Sequence, residues 1–286
     1  MMSAPVPSEW EDMVQQLRHE AARAPKIHGV DGFGGAAGMC RAMLAKHWRC
    51  EYFDIKSDPI KNDCLHPAGL RHWILLMLRC APGALIILGP PCSFWIWLTR
   101  SVSGRSQSNP AGDTTSAWVR QGNAIGKFVA NTLQLAHHLK LFYFVEQPAS
   151  SLLGEFEPMK ASLKATGAFN VRWQMGAFGA SSTKPQIGWT TAPWYAEFAS
   201  FARVAAKRRR EEEGAKEPSN LSVKDNVDGS VTGNPHALES SAEYPSKFCD
   251  ALISLHHEHF KSAFCSQIMK EMCVPAGAFK LPRSGY

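Results

Sequence analysis

The chain is poor in paired metal-type or redox-type cysteines. Its eight cysteines (40, 50, 64, 80, 92, 249, 265 and 273) form no CxxC pair and no regular framework. That argues against zinc ribbons and disulfide-stapled scaffolds and predicts free thiols in a reducing compartment. Long hydrophobic runs are also missing. The most apolar stretch, Trp73 to Leu88, is interrupted by Arg79 and by Ala81-Pro82-Gly83, too short and broken to span a bilayer. Met1 to Trp10 lacks the basic flank and apolar core of a signal peptide. A soluble intracellular protein with no membrane partner is the expectation. Nor is there a large excess of one charge. The net charge of +6 permits an anionic partner such as nucleic acid without requiring one. No acidic or cysteine side chain stands at ligand spacing from His256, His257 and His259, so no metal is expected. What the chain does have is 45% hydrophobic and 10% aromatic residues over 286 positions, enough for one large α/β domain or two small ones.

The stretch from Leu85 to Trp95 organises the rest. Leu85-Ile86-Ile87-Leu88 reads as a short strand buried on both faces, stopped by Gly89-Pro90-Pro91. Cys92 then falls on a stiff loop at the strand's carboxyl end, the edge where open α/β sheets bind ligands. Ahead of a helix start, its thiol is expected to have a lowered pKa and act as a nucleophile. The alternative is one more buried small hydrophobe.

Upstream, Ser8-Glu9-Trp10-Glu11 has the capping-box pattern and opens a helix to about Ala24. A strand near Ile27 enters Gly32-Phe33-Gly34-Gly35-Ala36-Ala37-Gly38, and a helix follows to Trp48. Such glycines let backbone approach a ligand, and the helix start offers free amides. The next strand, Cys50 to Phe53, ends at Asp54, where an acid suits a ribose diol; a plain loop aspartate is the alternative. Turns at Asp58-Pro59 and Asn62-Asp63 lead to a helix from Leu70 to about Cys80.

Beyond Cys92, Trp95, Trp97 and Arg100 border a polar, flexible tract, Ser101 to Thr115. Aromatics beside an arginine can stack bases or pack under a loop. A helix from Ala117 to Lys140 feeds the apolar strand Leu141 to Val145, which ends at Glu146-Gln147-Pro148. Glu146 is the kind of carboxyl that burial tunes for general-acid work. The repeated strand–helix order predicts a mostly parallel, doubly wound sheet with helices on both faces. Met175 to Gln186 reads as a terminal hairpin. Lys207-Arg208-Arg209-Arg210, followed by three glutamates, is a solvated helix, an import signal or a phosphate contact. The chain thus divides into an N-terminal helix (1–25), a catalytic-type domain (26–198), a polar low-complexity insertion or linker (199–243) and a C-terminal helix packing back on the domain (244–286).

Taken together, Phe33-Gly34-Gly35-Ala36-Ala37-Gly38, Asp54, Gly89-Pro90-Pro91-Cys92 and Glu146 resemble the motifs of the cytosine-C5 methyltransferases, a branch of the class I S-adenosylmethionine-dependent enzymes. The likeness spans about residues 27 to 150, with a fainter trace at Gly233-Asn234. It implies a Rossmann-like class I methyltransferase fold and S-adenosyl-L-methionine as cofactor. Phe33, Gly35, Gly38, Asp54, Asp63 and Pro91 would hold that cofactor, Asp63 at the adenine amine. Cys92 would attack carbon 6 of cytosine while Glu146 engages ring nitrogen 3. Ser93, Trp95, Arg100, Gln147 and Pro148 would contact the substrate. The target base would be flipped out or already single-stranded.

The chain also departs from that pattern. Pro-Cys-Ser replaces Pro-Cys-Gln, and Glu-Gln-Pro replaces Glu-Asn-Val. The Gln-Arg-Arg-x-Arg motif gives way to Thr183-Lys184-Pro185-Gln186, and there is no room for a large target-recognition domain. The nucleic acid, DNA or RNA, would then be met without that domain or through a separate recognition partner. Two other readings stand beside the enzyme: a degenerate methyltransferase fold that binds nucleic acid or protein, and a cysteine hydrolase, which would need a histidine within reach of Cys92.

Overall fold

The computed structural model describes residues 5–180, 183–213, 222–224, 231–233 and 243–272. Asn234, most of the low-complexity tract and the tail after Met272 lie outside the described residues. The central sheet has six strands: β1 (Ile27–Gly32), β2 (Cys50–Phe53), β3 (Cys80–Leu88), β4 (Phe142–Pro148), β5 (Phe169–Gln174) and β6 (Pro185–Thr190). Their spatial order is β2-β1-β3-β4-β6-β5. The first four are parallel, and β6 is antiparallel to both β4 and β5. The predicted doubly wound sheet is therefore present, and the hairpin is β5–β6, longer than expected: Met175 to Lys184 form its connection, and its second strand inserts beside β4.

Strand periodicity divides the core into two layers. Ile86 and Leu88 of β3 face one cluster with Trp73, Val129 and Leu133, while Leu85 and Ile87 face another with Met43, Phe198 and Phe248. The first layer is covered by α1 (Glu11–Arg23), α3 (Pro67–Arg79), α5 (Ala117–His138) and α6 (Glu157–Ala165). The second is covered by α2 (Gly38–Ala45), α7 (Phe198–Glu213) and α8 (Ser246–Met272), with a short α4 (Arg100–Ser103) between β3 and α5. A two-stranded ladder, β7 (Ser222–Lys224) with β8 (Val231–Gly233), is separate from the main sheet. No helix among the described residues is long and apolar enough to cross a membrane.

Register sets the functional edge. Gly32 pairs with Leu88, and Leu88 with Val145, so β1 and β3 end at the level of Val145, while β4 runs on to Pro148 paired with β6. The segments that follow, Phe33–Gly38, Gly89–Cys92 and Glu146–Pro148, converge on that carboxyl edge.

Two local expectations are corrected. The capping box at Ser8 does not form: Ser8–Trp10 is a 3-10 turn, and neither it nor α1 has a side-chain cap. The prolines on either side of Val6 hold the entry to the helix in place of that hydrogen bond. The polar tract after Arg100 is not wholly solvated: Ser103 and Arg105 are buried. Arg105 lies 3.9 Å over the Trp95 ring and donates to the Pro110 and Val119 carbonyls.

Candidate active site at the carboxyl edge of the sheet

The glycine turn is tightly wound. Phe33, Gly35 and Ala37 take φ of 58°, 53° and 56°, alternating left-handed residues that reverse the chain into α2. Gly34 lies on the Asp31 carboxylate, where an added Cβ would stand 2.5 Å from Oδ1. The Cys40 amide donates to Asp31 Oδ2 at 2.9 Å, while Oδ1 is buried with no hydrogen bond. Burial, with the nearby Asp54 charge adding to it, raises the Asp31 pKa to about 6. Asp54 closes the turn from outside. The Gly35 amide donates to its Oδ2 and the Lys56 amide to its Oδ1, each at 2.9 Å. A carboxylate has about four acceptor sites, so Asp54 keeps capacity for a diol.

The Cys92 loop is seated from below by α5. Gly122 and Gly126 have no side chains because Phe94 and Trp95 occupy that space; a Cβ at either would meet an aromatic carbon at 2.8 Å. Gln147 holds the loop from the side, its Nε2 donating to the Pro90 carbonyl at 2.6 Å. Cys92 opens only a three-residue 3-10 turn, not a helix with a useful dipole. Its thiol pKa is accordingly raised, by burial first, with Lys184 opposing and Glu146 adding. This corrects the expected lowering.

Glu146 belongs to β4 and is buried. Tyr244, just before α8, donates its hydroxyl to Glu146 Oε2 at 2.7 Å, and Oε1 has no hydrogen bond. Burial raises the Glu146 pKa, against Lys184 and the Tyr244 hydrogen bond. That is the direction expected of a proton-holding acid.

These pieces enclose one cavity of about 380 Å³. Cys92, Glu146, Asp54 and the turn residues Phe33, Gly35 and Gly38 all line it, as do Pro91, Ser93 and Pro148. Four predicted residues do not. Asp63 accepts the Leu65 amide at 2.9 Å in the turn before α3, with its backbone against Gly69, away from the cavity. Trp95 is fully buried between Arg105 and Phe156, so its face is not free for a base. Arg100 begins α4 outside the lining. Gln147, buried and bound to Pro90, positions the loop and does not line the cavity.

Other lining residues were not foreseen: Arg41, Lys56, Lys184, Glu243 and Tyr244. Lys184 lies in the segment Thr183 to Gln186 that stands in place of the arginine-rich motif of the resembled pattern. Tyr244 carried no signal beyond Tyr-Pro ahead of a helix. The three histidines of α8 are used in packing. His256 is buried against Trp48 and Trp194, and burial lowers its pKa to about 3. Among the described residues, no group of three or more His, Cys, Asp or Glu could hold a metal ion. Neither a protein-family model nor a curated protein matches the chain.

Proposed function

We propose that the chain is an S-adenosylmethionine-dependent methyltransferase of the cytosine-C5 type acting on nucleic acid. The observation that carries this reading is the convergence of Cys92 and Glu146, from adjacent strand ends, on a cavity shared with the glycine turn and Asp54. The cofactor fits the residues present. The cavity lies in the 300–1,000 Å³ range of small-molecule sites, Gly35 has open space over its backbone, and Asp54 retains acceptors for a ribose. Asp54 and Glu243 set carboxylates on the cavity wall, among the cations Arg41, Lys56 and Lys184. Bound there, S-adenosylmethionine would supply an electrophilic methyl group.

The chain's own residues prepare the base to receive it. Glu146 Oε1, unpaired and held toward its protonated form, donates to ring nitrogen 3 and draws electron density from the ring. The Cys92 thiol gives up its proton to water, its sulfur bonds carbon 6 as the carbon 5–carbon 6 double bond opens, and carbon 5 becomes nucleophilic. Lys184 is the cation that favours the thiolate, opposing burial. Later loss of the carbon-5 proton lets the carbon–sulfur bond break and returns the thiolate.

Calorimetry of S-adenosylmethionine with the wild type and Asp54→Ala tests the cofactor site. Trapping on 5-fluorocytosine nucleic acid, with Cys92→Ala as control, tests the nucleophile. Binding that depends on Asp54 and an adduct that depends on Cys92 are expected; absence of cofactor binding overturns the proposal. The Tyr244 hydroxyl on Glu146 and the raised Cys92 pKa favour a second reading, a binding module that has lost turnover. Cofactor binding without an adduct would select it. A cysteine hydrolase lacks support, since no histidine among the described residues lines the cavity.

A further inference from the structure

A second cleft opens beside this cavity, on the α7 side of the sheet. Its volume is about 690 Å³. The two share a boundary: Pro148 and Lys184 line the cavity, and the next residues, Ala149 and Pro185, line the cleft. The walls are small residues of α7, Ala199, Ala202 and Ala206. Every charged residue of the lining is a cation: Arg172 on β5, and Arg203 and Lys207 on α7. All three are exposed. Arg203 donates to Ser200 on its own helix, and Lys207 stands 3.8 Å from Glu211. Neither Arg172 nor Arg203 meets a carboxylate among the described residues.

Polarity without partners lies at the floor. Trp173 and Gln186 are directly opposed across β5 and β6, so both side chains stand on one face, beneath α7. Gln186 is fully buried, yet among the described residues neither its Oε1 nor its Nε2 has a hydrogen bond, and Trp173 Nε1 is likewise unpaired. Native proteins rarely leave such groups unpaired without a ligand, water or function to account for them. A carboxamide offers a donor and an acceptor side by side, the pattern that pairs with the edge of adenine.

We infer that this cleft holds the nucleotide flanking the target base in a single-stranded nucleic acid, its phosphates on Arg172, Arg203 and Lys207 and its base edge on the Gln186 carboxamide, which the floor side chains uncover by moving aside as the base enters. The inference rests on the proposed function only for the identity of the strand as substrate. It supplies a means of recognition within the described fold itself.

The test is fluorescence anisotropy with a thymidine oligomer of about 12 nucleotides, within the site sizes of single-strand binders, and with the same oligomer carrying adenines. Neither probe contains cytosine, so Cys92 chemistry plays no part. Titrations run from about 50 to about 200 mM salt. Replacing both exposed arginines, as Arg172→Ala/Arg203→Ala, should weaken binding and flatten the salt slope by about 1.4, roughly 0.7 per lost phosphate contact. Gln186→Leu should leave that slope unchanged and reduce any preference for adenine about tenfold. The fold should survive this change, because an unpaired buried amide is replaced by an apolar group of similar shape. No binding by the wild type, equal affinity for a duplex, or an unchanged slope in the double variant would each overturn the inference. A flattened slope without cofactor binding in the calorimetric assay would leave the cleft standing and remove the methyltransferase reading.

Discussion

The cavity and the cleft adjoin, yet they handle charge in opposite ways. At the cavity Glu146 on the wall and Asp31 beneath the glycine turn are buried, each with one oxygen unpaired among the described residues, and burial raises both pKa values. In the cleft the charges are cations at the rim, exposed to solvent, above a neutral unpaired floor. The first arrangement suits chemistry, because a dry environment moves pKa values and strengthens each dipole. The second suits grip on a polyanion, where exposed charges act by releasing counterions and fade with salt. Salt should therefore separate the two. Cofactor affinity should respond weakly to ionic strength and strand binding steeply.

Glu146→Gln should break the cavity side of this comparison most severely. The amide keeps the shape but cannot deliver a proton, and loss of a general acid typically costs about 10²- to 10⁴-fold in rate. Single-turnover methylation of a cytosine oligonucleotide should fall by that order, with the salt slope of strand binding unchanged. An equally active variant would remove Glu146 from the mechanism.

Asp31→Asn should have the next largest effect, on stability. The folded-state value of about 6 stands above the ordinary 3.8, so the fold holds the proton more tightly than the unfolded chain. This contribution is fully present below pH 4 and is lost as pH rises through about 6. At about 1.36 kcal/mol per pH unit, the interval amounts to about 3 kcal/mol. Asparagine carries no charge to bury and keeps an acceptor for the Cys40 amide. Urea midpoints for variant and wild type should coincide near pH 4, with the variant more stable above pH 6. Parallel midpoints across that range would show that Asp31 is not strained by burial.

Much of this edge was legible in advance because it is local. Four aliphatic residues before Gly-Pro-Pro, five apolar residues before Glu146 and glycines between a strand and a helix each report on their own segment. Ordering the segments on a parallel sheet brings Cys92, Glu146 and Asp54 together. Sequence was mute where a residue's role depends on distant partners. Trp95 looked available for stacking until Arg105 and Phe156 covered it. Gln147 looked like a substrate contact until it reached Pro90, 57 positions away. Tyr244 meets Glu146 across 98 positions, a pairing no periodicity reports. The cleft was hidden for the same reason, since Arg172, Gln186 and Arg203 come from three elements. The Cys92 pKa was misjudged because burial, a tertiary property, outweighed a helix start that proved to be one 3-10 turn.

The smallest effect concerns Ala37, where the glycine turn departs from the pattern it resembles. Ala37 sits at φ 56° and ψ 33°, left-handed, immediately before α2. A residue with a Cβ is disfavoured there by about 1–2 kcal/mol, and glycine returns part of that through the freedom it loses on folding, about 0.5–1 kcal/mol. Ala37→Gly should thus raise the urea midpoint by an amount corresponding to about 1.5 kcal/mol at most. Ala37→Val should lower it by more, since a β-branched residue tolerates this conformation poorly. A fall in stability for the glycine variant would mean that the turn is not left-handed at this position. Because Ala37 precedes α2 and lies outside the cleft, both variants should leave the salt slope of strand binding where it was. Cofactor affinity alone should follow the turn, so the pair of measurements separates the two neighbouring sites without touching a charged group.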